Sequence, residues 1–359
     1  MQDFSKIIEN FRVRGECISC ERYGSGHIND TYKLTFEKGF DCILQRINHN
    51  IFPDVEHLMQ NIERVTDHIR YKAVTENGVF DRDSLTIVPT LDNQNYYCDS
   101  DGNYWRMYVF IEGASTVDFV STTSQAYEAA KAFANFQKML ADLPGGPLFE
   151  SIPDFHNTPK RFEKFLASLQ ADKMNRAALA KKEIEFALSR KDRIADVMKG
   201  LADGTIPLRV THNDTKINNV MLDDVTGKGV CVIDLDTVMS GSVLFDFGDE
   251  VRTTTATAAE DERDLSKVKV RLDLFEALVR GYREIADDFL VPAERNYLAQ
   301  SGALITFEIG LRFLTDFLDG DVYFKVHRDG HNLDRCRTQF EMVRQMDEQM
   351  ETLEKIASL

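Results

Sequence analysis

The chain has 359 residues, 43% of them hydrophobic and 28% charged, the make-up of a globular protein too long for one small core and long enough for two lobes. Its formal net charge of −16 excludes the basic footprint that a nucleic-acid binder needs. No apolar run approaches the roughly 20 residues that span a bilayer, and the opening Met-Gln-Asp-Phe-Ser-Lys lacks a signal peptide's apolar core, so a cytoplasmic protein with no membrane partner is expected.

In chain order, residues 3 to 12 read as a short helix with Asp3 or Ser5 as its cap. Strand-like runs follow at 16–23, 28–36 and 41–47, the last two joined by Glu37-Lys38-Gly39. Cys17 and Cys20 lie three apart in the first strand and should face opposite sides; with no second ligand pair, reduced thiols are expected rather than a zinc site. Between the first two strands, Tyr23-Gly24-Ser25-Gly26-His27-Ile28-Asn29 is either a plain hairpin turn or a loop whose glycines Gly24 and Gly26 let backbone approach a phosphate. In the third strand, alternation turns Gln45 rather than Arg46 to the side that Ile43 faces.

Val55, Leu58, Met59, Ile62, Val65 and Ile69 form the apolar stripe of a helix over 54–73, and Glu63 on it is either a surface charge or a partner for a cation in the sheet. Strands at 85–89, 95–98 and 104–113 come next, the last ending in Phe110-Ile111-Glu112-Gly113. From about 122 the chain turns helical, with Ala126, Ala130, Phe133, Phe136 and Leu140 on one face up to Pro144. Further helices are predicted at 159–173, 176–200, 259–284, 292–319 and 332–357. Arg312 sits inside the most apolar of these and must be paired, with Glu308 one turn back or with a polar ligand.

The chemistry concentrates in residues 210–249. Asp214 can orient a hydroxyl and take its proton, and Asn219 offers an amide oxygen at the far end of the same loop. Thr226-Gly227-Lys228-Gly229 joins two apolar runs as a hairpin turn, which carries Asp234 back beside Asn219. A carboxylate and an amide oxygen converging there suit a magnesium ion bridging nucleotide phosphates. Lys216, two residues past Asp214, can meet the transferring phosphoryl group.

The pattern His212-x-Asp214-(x)4-Asn219 followed by Ile233-Asp234 resembles the aminoglycoside phosphotransferase and choline kinase superfamily. The wording Thr-His-Asn-Asp-Thr-Lys, then Ile-Asp-Leu-Asp-Thr and Phe-Asp-Phe-Gly-Asp, is similar to the N-acetylhexosamine 1-kinases within it, and the likeness runs from Gly26-His27-Ile28-Asn29 to Gly320-Asp321-Val322-Tyr323-Phe324. The resemblance implies an α+β, protein-kinase-like fold: a small antiparallel-sheet N-lobe over 1–112 that binds nucleotide, and a larger helical C-lobe over 113–359 with the catalytic loop and a sugar site. It implies ATP and Mg2+ as cofactors and transfer to the anomeric hydroxyl of N-acetylglucosamine or N-acetylgalactosamine. Asp214 would be the base, Asn219 and Asp234 the metal ligands, and His27, Asp236, Arg312 and Tyr323 the sugar contacts. Backbone at Phe110, Ile111 and Glu112 would meet adenine. The chain departs from the kinase pattern in lacking a lysine on the third strand, where Gln45 or Arg46 stands, and in having Asn29 in place of a third glycine. Other readings are a kinase of another small alcohol, an aminoglycoside or choline, and a nucleotide-binding module without catalysis.

Overall fold

The first part of the chain forms a five-stranded antiparallel sheet in a computed structural model that describes residues 4–24, 28–77 and 82–359. After a single helical turn, α1 (Ser5–Ile8), come β1 (Cys17–Arg22), β2 (Asp30–Phe36), β3 (Cys42–Ile47) and, past a long helix α2 (Val55–Asn77), β4 (Tyr97–Cys98) and β5 (Tyr104–Val109). Their order in the sheet is β1-β2-β3-β5-β4. Alternation sends Cys42 and Leu44 of β3 to one face, where Phe4, Phe11, Leu34, Trp105 and Met107 cover them. Ile43 and Ile47 point to the other face, against the buried stripe of α2 predicted above. Each such side chain fully buried contributes about 1.5–3 kcal/mol.

Several elements differ from expectation. The first helix stops at Ile8 because Phe11 turns into an extended bridge with Thr90 that buries its ring; its N-cap is Phe4, with no side-chain cap. A bulge between Cys17 and Ser19 shifts the register of β1 against β2. The extra residue moves Cys17 onto the side of Cys20, so both thiols pack on the same core while Ile18 points out. Residues 85–89 make only a single bridge to β5, where Pro89 has no amide hydrogen to continue a ladder. The strand expected over 104–113 ends at Val109, and Gly113, at φ +67°, turns the chain into β6 (Ala114–Ser115).

The rest is mainly helical. A capping box of Thr122 and Gln125 opens α3 (Thr123–Met139), and α4 (Thr158–Ala171) follows. The single helix predicted over 176–200 is two, α5 (Lys181–Ser189) and α6 (Asp196–Asp203), because Ile184 and Ile194 bury in one core and Val197 in another. Two small sheets frame the loop of interest: β7 (Arg209–Thr211) with β10 (Met239–Gly241), and β6 with the hairpin β8 (Val220–Asp223) and β9 (Gly229–Val232). Then come α7 (Val243–Thr254), α8 (Leu272–Ala286), α9 (Pro292–Asp319), α10 (His331–Glu348) and α11 (Met350–Ala357). The helix expected from 259 begins only at Leu272, because Val268 and Val270 run extended into the core. The last predicted helix breaks at Gln349. Helix α9 crosses both helical cores, with Ala303 and Ile305 in one and Phe307, Leu311 and Phe317 in the other. The whole is an antiparallel-sheet lobe on a helical lobe, as the resemblance implied. No helix among the described residues is long and apolar enough to cross a membrane.

Candidate active site

The loop from β7 to β8 is held from beneath by the first turn of α7. The carboxylate of Asp246, fully buried, accepts the backbone N–H of His212 at 2.9 Å and of Asn213 at 2.7 Å, and the amide of Gln137 at 2.7 Å. Gln137 is itself fixed by the Tyr282 hydroxyl at 2.6 Å. The His212 ring lies against Phe133 and Phe136; its Nε2 donates to the Ile233 carbonyl at 2.9 Å and its Nδ1 accepts the Asp214 N–H at 3.2 Å. Asn213 adopts φ +66°, a left-handed turn that its side chain secures by donating to the Thr237 carbonyl at 2.8 Å. The buried polar groups of this loop are therefore partnered before Asp214 is reached, which makes its position stiff.

Asp214 stands at the mouth of the cleft, with its side chain 26% exposed and Oδ1 2.8 Å from the Lys216 ammonium. Crowding by protein opposes its charge, but Lys216 outweighs that and holds the carboxyl below the usual carboxylate range. Asn219 donates its amide N–H to the Asp214 carbonyl at 2.8 Å, leaving its amide oxygen for another partner. Strand pairing sets Val220 opposite Val232, and the Ile233 N–H reaches the Asn219 carbonyl at 2.9 Å, so Asp234 follows directly beside Asn219. Asp234 takes φ +61° and is exposed. The cleft walls limit its hydration and Asp236 and Asp214 add like charge, so its carboxyl is pushed up to about 6. Converging carboxylates with an amide oxygen are a hard-oxygen donor set. They fit a magnesium ion that takes its remaining ligands from phosphate and water.

The sequence reading missed Arg106. It lies on β5, opposite Gln45 in register, and its guanidinium is only 1% exposed. Its Nε donates to Gln45 Oε1 at 2.9 Å, and its Nη1 forms an ion pair with Asp236 Oδ1. Burial works against that charge, but Asp236 outweighs it and keeps Arg106 charged. Gln45 passes its own amide to Thr31 at 3.0 Å, and Asn29 donates to the second oxygen of Asp236 at 2.6 Å. The buried strand cation missing from β3 thus stands one strand away. Asn29, in place of a glycine, ties the nucleotide-side turn to the catalytic lobe. The available signal was an arginine between Trp105 and Met107, a charge in a strand whose both faces are buried. Gln45 lies on the side of the sheet that Ile43 faces, as alternation predicted. Arg46 is spent at the surface on Asp30. Glu63 is exposed and is a surface charge. Asp236, given as a sugar contact, has each carboxylate oxygen already bonded inside the protein.

On the nucleotide side, Gly24 has φ +76° with open space around it, while Gly26 and His27 lie outside the described residues. The Phe110 N–H donates to the Asp41 carbonyl at 2.8 Å, and the Phe110 ring carries the Lys33 ammonium 3.8 Å from its centroid. Ile111 is half-buried, and the exposed Glu112 gives its carbonyl to Arg82 at 3.2 Å.

On the acceptor side, Glu308 does not pair with Arg312. Its oxygens go to His156 at 2.9 Å and to the Thr158 hydroxyl at 2.5 Å. Arg312 is left among the rings of Phe155, Tyr323 and Phe324, 5.4–5.9 Å from their centroids. Arg312, Tyr323 and Phe324 line a pocket of about 170 Å3 with Arg161, Lys164, Asp316 and Asp319. The carboxylate of Asp316, on the pocket wall, accepts the N–H groups of Val322, Tyr323 and Phe324. Tyr323 is 61% exposed at the rim.

Comparison with solved structures supports the fold. The chain is similar to a microcompartment-associated aminopropanol kinase (16% identity, TM-score 0.61, 97% of each chain covered). It also resembles the amicoumacin kinase hAmiN in complex with AMP-PNP, Ca2+ and amicoumacin (13%, 0.60, 94% of this chain and 91% of that one). A third likeness is to choline kinase from Cryptosporidium parvum Iowa II (15%, 0.52, 95% and 92%). Residues 19–285, which hold the sheet, Arg106, the catalytic loop and Asp234, match the model of the phosphotransferase enzyme family (APH), and the chain belongs to that family.

Proposed function

We propose that this phosphotransferase moves the γ-phosphoryl group of ATP to the anomeric hydroxyl of N-acetylglucosamine or N-acetylgalactosamine, giving the sugar 1-phosphate. The observation that carries the acceptor class is the pocket at Arg312, one helical turn past Glu308, where Arg161, Lys164 and Arg312 gather around two aromatic rings. Three cations against two carboxylates, Asp316 and Asp319, leave the pocket with a small excess of positive charge, which disfavours a cationic acceptor such as choline or an aminoglycoside. A neutral sugar gains from the same groups: guanidinium donors meet its hydroxyl and acetamide oxygens, and a ring covers its apolar face. The intact trio of Asp214, Asn219 and Asp234 argues against a module without catalysis.

In this reading Asp214 accepts the proton of the acceptor hydroxyl, which is more acidic at the anomeric carbon than in an ordinary alcohol. Lys216 supplies charge on the γ-phosphate side. Asn219 and Asp234 would hold Mg2+, which would supply positive charge to the nucleotide phosphates. Gly24, Gly26, Gln45 and the backbone of Phe110 to Glu112, within 1–112, would frame the nucleotide. His27 from that part, with Arg312 and Tyr323 from the helical part, 113–359, would surround the sugar, while Asp236 stays bonded to Arg106 and Asn29. The test is ADP release from ATP and Mg2+ with N-acetylglucosamine, N-acetylgalactosamine, their methyl glycosides, choline and an aminoglycoside. Turnover with the free sugars and none with the glycosides is expected. Phosphorylation of a methyl glycoside, or a preference for choline, would sink the reading.

A further inference from the structure

His156 belongs to none of the motifs that point to phosphoryl transfer, yet it touches the catalytic loop one residue before Asp214. Its Nε2 lies 3.0 Å from the Asn213 carbonyl oxygen and its Nδ1 2.9 Å from Glu308 Oε1. A carbonyl and a carboxylate are acceptors, so both ring nitrogens carry protons and donate. The side chains are buried, and the imidazole stacks on Phe245 with centroids 5.2 Å apart. Glu308 and Arg312 face the ring from α9, the Asn213 carbonyl from the catalytic loop, Phe245 from α7 and Phe155 from its own segment. Burial would favour the neutral imidazole, but Glu308 and the carbonyl outweigh it and raise the His156 pKa above the ordinary value. On Glu308 burial is likewise outweighed, by His156 first and then by Thr158 and Arg312, which keeps the carboxyl ionised.

We propose that His156 is a positioning residue for phosphoryl transfer: as an imidazolium shared by Glu308 and the Asn213 carbonyl, it locks the left-handed turn at Asn213 and so aims Asp214 at the acceptor. The other anchors of that turn are Asp246 on the Asn213 N–H, and Thr211 and the Thr237 carbonyl on its side chain. The His156 anchor alone comes from the acceptor side. Glu308 sits one helical turn before Arg312, and its second oxygen holds Thr158 at the start of α4, three residues before Arg161. One buried ion pair therefore joins both walls of the acceptor pocket to the base.

The inference rests on Asp214 acting as the base, and Asp214→Ala tests that alone: normal turnover would remove the base, whatever His156 does. The positioning is tested by ADP release with N-acetylglucosamine, or with whichever alcohol of the panel replaces it, in variants whose thermal melts show a folded protein. Glu308→Gln keeps the shape but removes the counter-charge. It should lower kcat by about tenfold, leave the KM for ATP within about twofold, and move the alkaline limb of kcat to lower pH. His156→Ala should lose about 100-fold or more, the scale of a reacting group displaced by about an ångström. His156→Gln retains an N–H for the Asn213 carbonyl; it should recover most of that loss and show no such limb. An alkaline limb unmoved in Glu308→Gln, or wild-type kcat in His156→Ala, would overturn the proposal. If His156→Ala does not fold, the pH profile of Glu308→Gln decides it.

Discussion

At the scale of single residues, the roles proposed for Lys216 and Asp234 are separable by experiment. Lys216 lies 2.8 Å from the Asp214 carboxylate with its own side chain 44% exposed, so it can turn to a phosphate without leaving a buried charge unpaired. Lys216→Met should lower turnover about 100-fold, the scale of one lost electrostatic contact in a transition state, with sugar KM little changed. Turnover within a few-fold of wild type would make Lys216 a surface cation. Asp234, by contrast, is proposed as a metal ligand and in that role would serve ground and transition states alike. Asp234→Asn should weaken Mg2+-dependent nucleotide binding by about tenfold or more together with kcat, measured by calorimetry and steady-state rates. A loss confined to sugar affinity would refute that role.

Among the elements, α7 shows how a catalytic support is built at a cost in stability. Asp246 on its first turn is satisfied by the loop it holds, whereas Glu250 one turn later is 1% exposed and neither carboxylate oxygen has a hydrogen-bond partner. Burial, followed by the like charges of Asp246 and Asp249, raises its pKa well above the ordinary value. The sign follows from linkage. Below the unfolded pKa, about 4.3, the group is protonated in both states and imposes no penalty. As pH rises through and beyond that value the unfolded chain ionises while the folded one does not, and stability falls until the folded pKa is passed. Glu250→Gln should therefore melt like the wild type near pH 4 and at higher temperature near pH 8. The gap should widen by about 1.4 kcal/mol per pH unit within the window. Equal melting temperatures at pH 8 would mean that the carboxylate finds a partner.

For the whole molecule, the junction of the two lobes rests on a charge pair. Arg106 from the sheet and Asp236 from the catalytic segment are 1% and 4% exposed at the side chain, with Gln45 and Asn29 completing the bonds. Removing one member leaves a buried charge, so Arg106→Met should cost about 3–5 kcal/mol in denaturant unfolding. Arg106→Met combined with Asp236→Leu should recover most of it. Full additivity of the two losses would show that the pair does not couple the lobes.

The sequence by itself determined the features that depend on neighbours a few residues apart. The α2 stripe from Val55 to Ile69, the hairpin that returns Asp234 to Asn219, and the side of β3 on which Gln45 lies all follow from the periods of helix and strand. The most specific part of the family resemblance, too, sat in one contiguous stretch, 209–249. Local pattern said nothing of how far each element would run. Helix 176–200 broke and helix 259–284 started late because Ile194, Val197, Val268 and Val270 had to reach separate cores. Pairings across long separations lay beyond it altogether. Arg106 meets Asp236 at 130 positions' distance and His156 meets Glu308 at 152. A charge inside an apolar run announces that it needs a partner, since burying it alone is prohibitive. Which partner it receives is decided only when the whole chain is packed, and here that gave Glu308 to His156 and left Arg312 facing the pocket.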